Sequence, residues 1–258
     1  MSEEELKKFF DARGIRAAIN HYEIERRLIY YALIGEDQLP ALLFIHGAPA
    51  SMKIYSDFFR HESLLRTFSI YAVDRPGYGL TNGKPVPSIK KQAALIAPLA
   101  ERIHRVHQPL IVVGGSFGAS IACRLVMDYA GLVQGLVLIA PSLSAELDKT
   151  FWITPLLQKT FLKNFIPSSY RSATEEKLRH KNELKKMRGL WSNIDIPVVY
   201  LQSRHDLIVS PANALFAQEE MKKAPFLETQ FFPGWKHNIL PAHSPAIINK
   251  IMELYGKL

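Results

Sequence analysis

Ser116, Asp206 and His237 are the residues of this 258-residue chain whose types and order suit nucleophilic attack on a carbonyl carbon. Ser116 lies in "LIVVGGSFGAS", where Gly114, Ser116 and Gly118 make a G-x-S-x-G pattern. The pattern alone is weak, since residues of ordinary abundance supply it by chance at on the order of 10⁻⁴ per position. Its setting strengthens it. An apolar, β-branched run precedes it and a small-residue helical pattern follows, as a sharp strand-to-helix turn requires. A serine hydroxyl is a poor nucleophile at neutral pH, so it needs a base, and the base needs an acid to orient it.

Of the nine histidines, His237 in "FFPGWKHNIL" is the expected base, because it follows the last strand-like run and precedes the final helical one. Imidazole exchanges protons near neutral pH. His46 is expected to buttress the backbone of its own turn, and His205 to point away from the site. His104, His107 and His180 fall on charged helical stretches and are expected to be solvated. The expected acid is Asp206 in "YLQSRHDLIVSP", with Glu146 and Asp148 as competitors that could reach the same histidine from another strand end. Stabilising the oxyanion needs backbone N–H donors, and those of Ala48 in "HGAPAS" and Phe117 are suitably placed along the chain. Asp74 in "VDRPGYGLT" is expected to tie down its own Gly- and Pro-rich loop.

These residues can meet only if the elements before them share one edge of a sheet. The runs "ALLFIHG" (41–47), "SIYAVD" (69–74), "PLIVVGG" (109–115), "GLVLIAP" (135–141) and "PVVYLQS" (197–203) are short and nearly all apolar, as strands buried on both faces are. A last short strand is expected within "ETQFFPG". Helical patterns over 88–104, 117–128, 211–221 and 243–254 alternate with them. The expected fold is therefore α/β, a mostly parallel, doubly wound sheet whose strand ends gather the site. "RAAINHYEIERRLIYYALIG" reads as two antiparallel edge strands, and the first helical stretch, "SEEELKKFFDARG", as a segment packed on the sheet edge or a partner.

Residues 142–196 break the alternation, with helical stretches and no strong strand. They read as a helical lid inserted between core strands, so the expected division is a core of 1–141 and 197–258 with a lid of 142–196. Within the lid, 151–166 carries aromatic and aliphatic side chains interrupted by Lys159 and Lys163, as expected of a face over an apolar pocket or against the core.

Composition is that of a globular protein, 48% hydrophobic and 22% charged. The acidic N-terminal segment lacks a signal peptide's apolar centre and no run reaches the roughly 18 apolar residues of a spanning helix, so a cytoplasmic protein with no integral membrane association is expected. The lone Cys123 is expected to be a buried core thiol. The net charge of +8 raises nucleic acid as a partner, but residues 142–196, with ten basic and six acidic residues, hold +4 of it without any nucleic-acid motif. A solvated basic face, and no nucleic-acid partner, is expected.

Taken in order, "FIHGAPAS", "AVDRPGYGLT", "VVGGSFGAS", "LQSRHDLIV" and "PGWKHNI" resemble the α/β-hydrolase superfamily over residues 42–258, apart from the lid. The resemblance implies Ser116 as nucleophile, Asp206 as acid, His237 as base and Ala48 and Phe117 as oxyanion donors, with no cofactor and no metal. Haloalkane dehalogenases and epoxide hydrolases share the HG-x-P and D-x-PG-x-G loops but use an Asp nucleophile, so Ser116 favours acyl transfer to water. Proline iminopeptidases are similar at "GGSFG", but their HGGPG loop differs from "HGAPA". The expected activity is hydrolysis of an ester or thioester of a small to medium apolar acyl group, with a small-molecule acyl substrate. Ligand binding or signalling on the same fold, carbon–carbon bond hydrolysis, iminopeptidase-like cleavage and cofactor-free peroxidation are the alternatives.

Overall fold

The computed structural model describes residues 1–36, 38–148, 167–234 and 236–258, so the apolar lid stretch 151–166 lies outside the described residues. Eight strands form one sheet: β1 (Ala17–Ile24), β2 (Arg27–Ile34), β3 (Ala41–Ile45), β4 (Ser69–Val73), β5 (Leu110–Gly115), β6 (Gly135–Ile139), β7 (Val198–Ser203) and β8 (Leu227–Phe232). Their spatial order is β1-β2-β4-β3-β5-β6-β7-β8. The first two strands pair antiparallel with each other, and β2 pairs antiparallel with β4, so of the predicted edge pair only β1 is the edge. From β4 to β8 every pairing is parallel.

Seven α-helices are described: α1 (Glu3–Asp11), α2 (Glu62–Thr67), α3 (Ile89–Val106), α4 (Phe117–Asp128), α5 (Ser168–Lys185), α6 (Asn213–Glu220) and α7 (Leu240–Tyr255). The double winding follows from the period-two alternation of the strands. Ala41, Leu43 and Ile45 of β3 join one core layer with Ala93 and Ile96 of α3 and Ile121 and Leu125 of α4. Leu42 and Phe44 join the opposite layer with Leu6 and Phe10 of α1 and Ile247 and Ile251 of α7. All five residues of β3, β4 and β6 are buried, which is why they read as nearly continuous apolar runs.

The first helix is set by a capping box, in which the Ser2 hydroxyl accepts from the Glu5 amide while the Glu5 carboxylate accepts from the Ser2 amide. Its apolar side covers the sheet, with Phe10 edge-on to Phe59 at 6.0 Å. α5 lies between β6 and β7 in sequence and leans on residues at the C-terminal ends of β4 and β5, as the contacts of Glu176 and His180 described below demonstrate. No helix among the described residues is long and apolar enough to cross a membrane.

Candidate active site

Ser116 occupies the junction between β5 and α4 with φ of 50° and ψ of −116°, a left-handed conformation that a residue with a side chain adopts at a cost. Its neighbours permit the turn. A Cβ on Gly114 would lie 2.6 Å from Cα of Ala119, and one on Gly118 would lie 2.3 Å from the carbonyl oxygen of Ile45, so the helix start touches both its own strand and β3. The Ser116 amide donates to the carbonyl of Ile139 at 2.8 Å, and the hydroxyl projects from the edge. Phe117 is the first residue of α4, so its N–H is one of the amides that a helix leaves without an internal partner.

The loop after β8 brings His237 to this point. Its Nε2 lies 2.9 Å from Ser116 Oγ, and its Nδ1 lies 2.7 Å from Oδ2 of Asp206. An ionised carboxylate only accepts, so Nδ1 carries the ring proton and Nε2 is left to take one from the serine. Asp206 follows β7 and its side chain is fully buried. Oδ1 accepts from the amides of Ile208 at 2.8 Å and Val209 at 3.0 Å, and Oδ2 accepts from Gln202 at 3.1 Å. Burial pushes this carboxyl up, but the hydrogen bond and charge of His237 together with the two amides outweigh it and hold the group below the usual aspartate value.

The two competing acids are occupied elsewhere. Glu146 pairs with Arg188 and accepts from Ser144. Asp148 accepts from Lys177 at 2.5 Å and faces His180 Nδ1 at 3.1 Å. His180 corrects the expectation of a solvated side chain: it is buried, with its ring 4.7 Å from that of Phe117. His107 is likewise buried, Nδ1 2.8 Å from the Leu39 carbonyl and Nε2 2.9 Å from the Tyr71 hydroxyl, because the chain turns inward at the end of α3. Charge in a helical stretch marks it as surface on average. It does not say which face of that helix a single histidine occupies.

Asp74 holds its loop as expected, accepting from the amides of Met52 at 2.8 Å and Leu80 at 2.7 Å. Burial lifts its carboxyl to about 6 against those two bonds and the nearby charges of Lys53 and Arg75. Cys123 is buried and its thiol is pushed up by burial.

Two clefts open at Ser116. One, about 230 Å³, is bounded by Ala48, Pro49, Ile54, Ile139, Ile239 and Leu240, with His237 on its rim. The other, about 200 Å³, is bounded by Phe117, Ser142, Glu176, Lys177, His180 and Val209 and also touches Ala48 and His237. Sequence reasoning missed Arg75, fully buried beside Ala48's loop, and its partner Glu176 on α5. An arginine two residues past an apolar strand was the available signal, but its partner lies 101 residues away.

A family model described as "Alpha/beta hydrolase family" matches residues 42–250. The chain is 27% identical over 114 residues to a pimeloyl-[acyl-carrier protein] methyl ester esterase of Proteus mirabilis, covering 44% of this chain and 41% of that protein. It is 24% identical over 170 residues to a proline iminopeptidase of Pestalotiopsis fici, covering 63% and 60%. In both cases it spans less than two thirds of the curated relative. Among solved structures, a lipase-esterase related protein from Clostridium acetobutylicum superposes with a TM-score of 0.72 at 16% identity, over 88% of this chain and 99% of that one.

Proposed function

Since the chain belongs to the alpha/beta hydrolase family, we propose that it is a serine hydrolase cleaving an ester or thioester of a small to medium apolar acyl group. The observation that carries this reading is the continuous Ser116–His237–Asp206 relay opening into an apolar cleft. Ser116 Oγ attacks the substrate carbonyl as its proton passes to His237 Nε2, and Asp206 stabilises the imidazolium through Nδ1. The carbonyl oxygen becomes an oxyanion that accepts from the N–H groups of Ala48 and Phe117. Collapse expels the alcohol or thiol, which takes the proton from His237. Water then attacks the acyl-serine by the same path in reverse, releasing the acid and restoring Ser116.

The cleft lined by Pro49, Ile54, Ile139, Ile239 and Leu240 suits an alkyl or acyl chain of a few carbons. An iminopeptidase must recognise an N-terminal ammonium, which calls for a carboxylate facing the site. Among the described residues lining the two clefts the only acid is Glu176, and both of its oxygens are already taken by Arg75, Gln92 and Tyr78. Ester chemistry is therefore favoured over removal of an N-terminal residue. Turnover of a p-nitrophenyl ester series from acetate to decanoate tests the reading. A rate maximum at short or medium chains, lost in Ser116→Ala, is expected; equal turnover by the mutant overturns it.

A further inference from the structure

The carbonyl of Gly47 and the N–H of Ala48 are opposite ends of one planar peptide group, so whatever holds the first aims the second. That carbonyl is held twice. His46 Nδ1 donates to it at 2.7 Å and Arg75 Nη2 at 3.0 Å. The histidine's state is set by its other nitrogen: Nε2 accepts the Arg75 amide at 3.0 Å, which puts the ring proton on Nδ1. Burial, with the Arg75 charge beside it, holds the His46 pKa well below the usual imidazole value despite the Gly47 carbonyl, so the ring stays neutral.

Arg75 is in turn held by α5, whose Glu176, Lys177 and His180 line the second cleft. Nη1 donates to Oε1 of Glu176 at 2.7 Å and Nη2 to Oε2 at 3.2 Å, with both side chains out of solvent. Glu176 also accepts from the Tyr78 hydroxyl at 2.7 Å and from Gln92 at 2.8 Å, and Gln92 accepts from Arg75 Nη1 at 2.9 Å. The guanidinium carbon lies 5.0 Å from the ring centre of Phe117, the residue that supplies the second candidate donor. An ion pair this deep is not explained by stability, because apolar residues of equal volume in such a place often fold as well or better.

We propose that Arg75 and Glu176 are positioning residues for the oxyanion donor Ala48, through which α5 governs the rate of acyl transfer without touching the reacting atoms. A cation on a peptide carbonyl polarises the N–H at its far end and fixes the plane of the group. An oxyanion donor works through that pre-aimed geometry, so a small rotation of the 47–48 peptide weakens the transition state and leaves ground-state binding in the clefts unchanged. The inference rests on the serine-hydrolase reading above.

The test is the double variant Arg75→Met/Glu176→Met, which keeps side-chain volume and leaves no unpaired buried charge. It is expected to melt near the wild type, with kcat for a p-nitrophenyl ester down about 10- to 100-fold. Affinity for 1,1,1-trifluoroheptan-2-one, which forms an oxyanion on adding to Ser116, is expected to fall by the same factor as kcat. In [15N]alanine-labelled protein the Ala48 amide resonance is expected to move upfield. If the double variant does not fold, Glu176→Gln is read by the same measurements, with a smaller loss of kcat expected. A folded variant with kcat within twofold of wild type, or with the Ala48 resonance unmoved, overturns the proposal. A wild type that turns over no ester strikes the hydrolase reading instead, and the Ala48 resonance still decides whether Arg75 and Glu176 act on this peptide.

Discussion

His237 and Ser116 meet at 2.9 Å across 121 residues of chain, with the histidine's other nitrogen already committed to Asp206. On the serine-hydrolase reading proposed above the three side chains act as one unit, so single losses should not add. Ser116→Ala and His237→Ala are each expected to lower ester kcat by about 10⁴-fold or more, and the double variant to fall no further. Steady-state kinetics on a medium-chain ester, with labelling by a fluorophosphonate probe, checks both statements.

The backbone of Ser116 predicts an effect on stability separable from chemistry. Its φ of 50° is tolerated by glycine and strained for any residue with a Cβ. Ser116→Gly should be inactive yet more stable than Ser116→Ala by about 1 kcal/mol, measured by urea denaturation.

Asp206 accepts from Nδ1 of His237, so an amide there can present a donor instead and favour the other tautomer. Asp206→Asn is expected to reduce kcat by about 10⁴-fold with little change in KM. The carboxyl is held below its unfolded value of 3.8, so its contribution to folding is present above that value and is lost as pH falls through the lower native one. Melting temperature measured against pH should show this acid limb in the wild type and its loss in Asp206→Asn.

Asp74 should act with the opposite sign in a different window. Its native carboxyl, lifted from 3.8 to about 6, keeps a proton that the unfolded chain has released. Raising the pH from about 4 to about 6 should therefore cost stability, by about 3 kcal/mol at most. Asp74→Asn should flatten that window, at the expense of the Met52 or Leu80 amide bond, since the amide side chain offers only one acceptor. Thermal melts of both proteins across the window check it.

Ile54 lines the apolar cleft and is more than a third exposed, so a larger side chain there should be tolerated by the fold. Ile54→Trp is expected to shift the ratio of acetate to hexanoate turnover towards acetate by about tenfold, read as the ratio of kcat/KM values.

The sheet was legible because its strands are short and buried on both faces, so that β3, β4 and β6 stand out as apolar runs without any knowledge of their neighbours. Helix boundaries were less so. α7 begins at Leu240, three residues before the predicted start, because Pro241 can occupy the first turn where no amide partner is needed. The candidates Ser116, Asp206 and His237 could be picked out because each follows a strand that ends on the same edge.

Sequence by itself determined the alternating strands and helices, the turn that exposes Ser116 and the candidates that could join it, since periodicity and glycine placement are local properties. Tertiary structure decided which acid meets His237, that His107 and His180 are buried, and that Arg75 closes on Glu176 beneath α5. Those outcomes depend on which helix face covers which strand end. Hydrogen bonds and ion pairs act over a few ångströms between residues 31 to 101 positions apart, and only the folded chain brings them within that range.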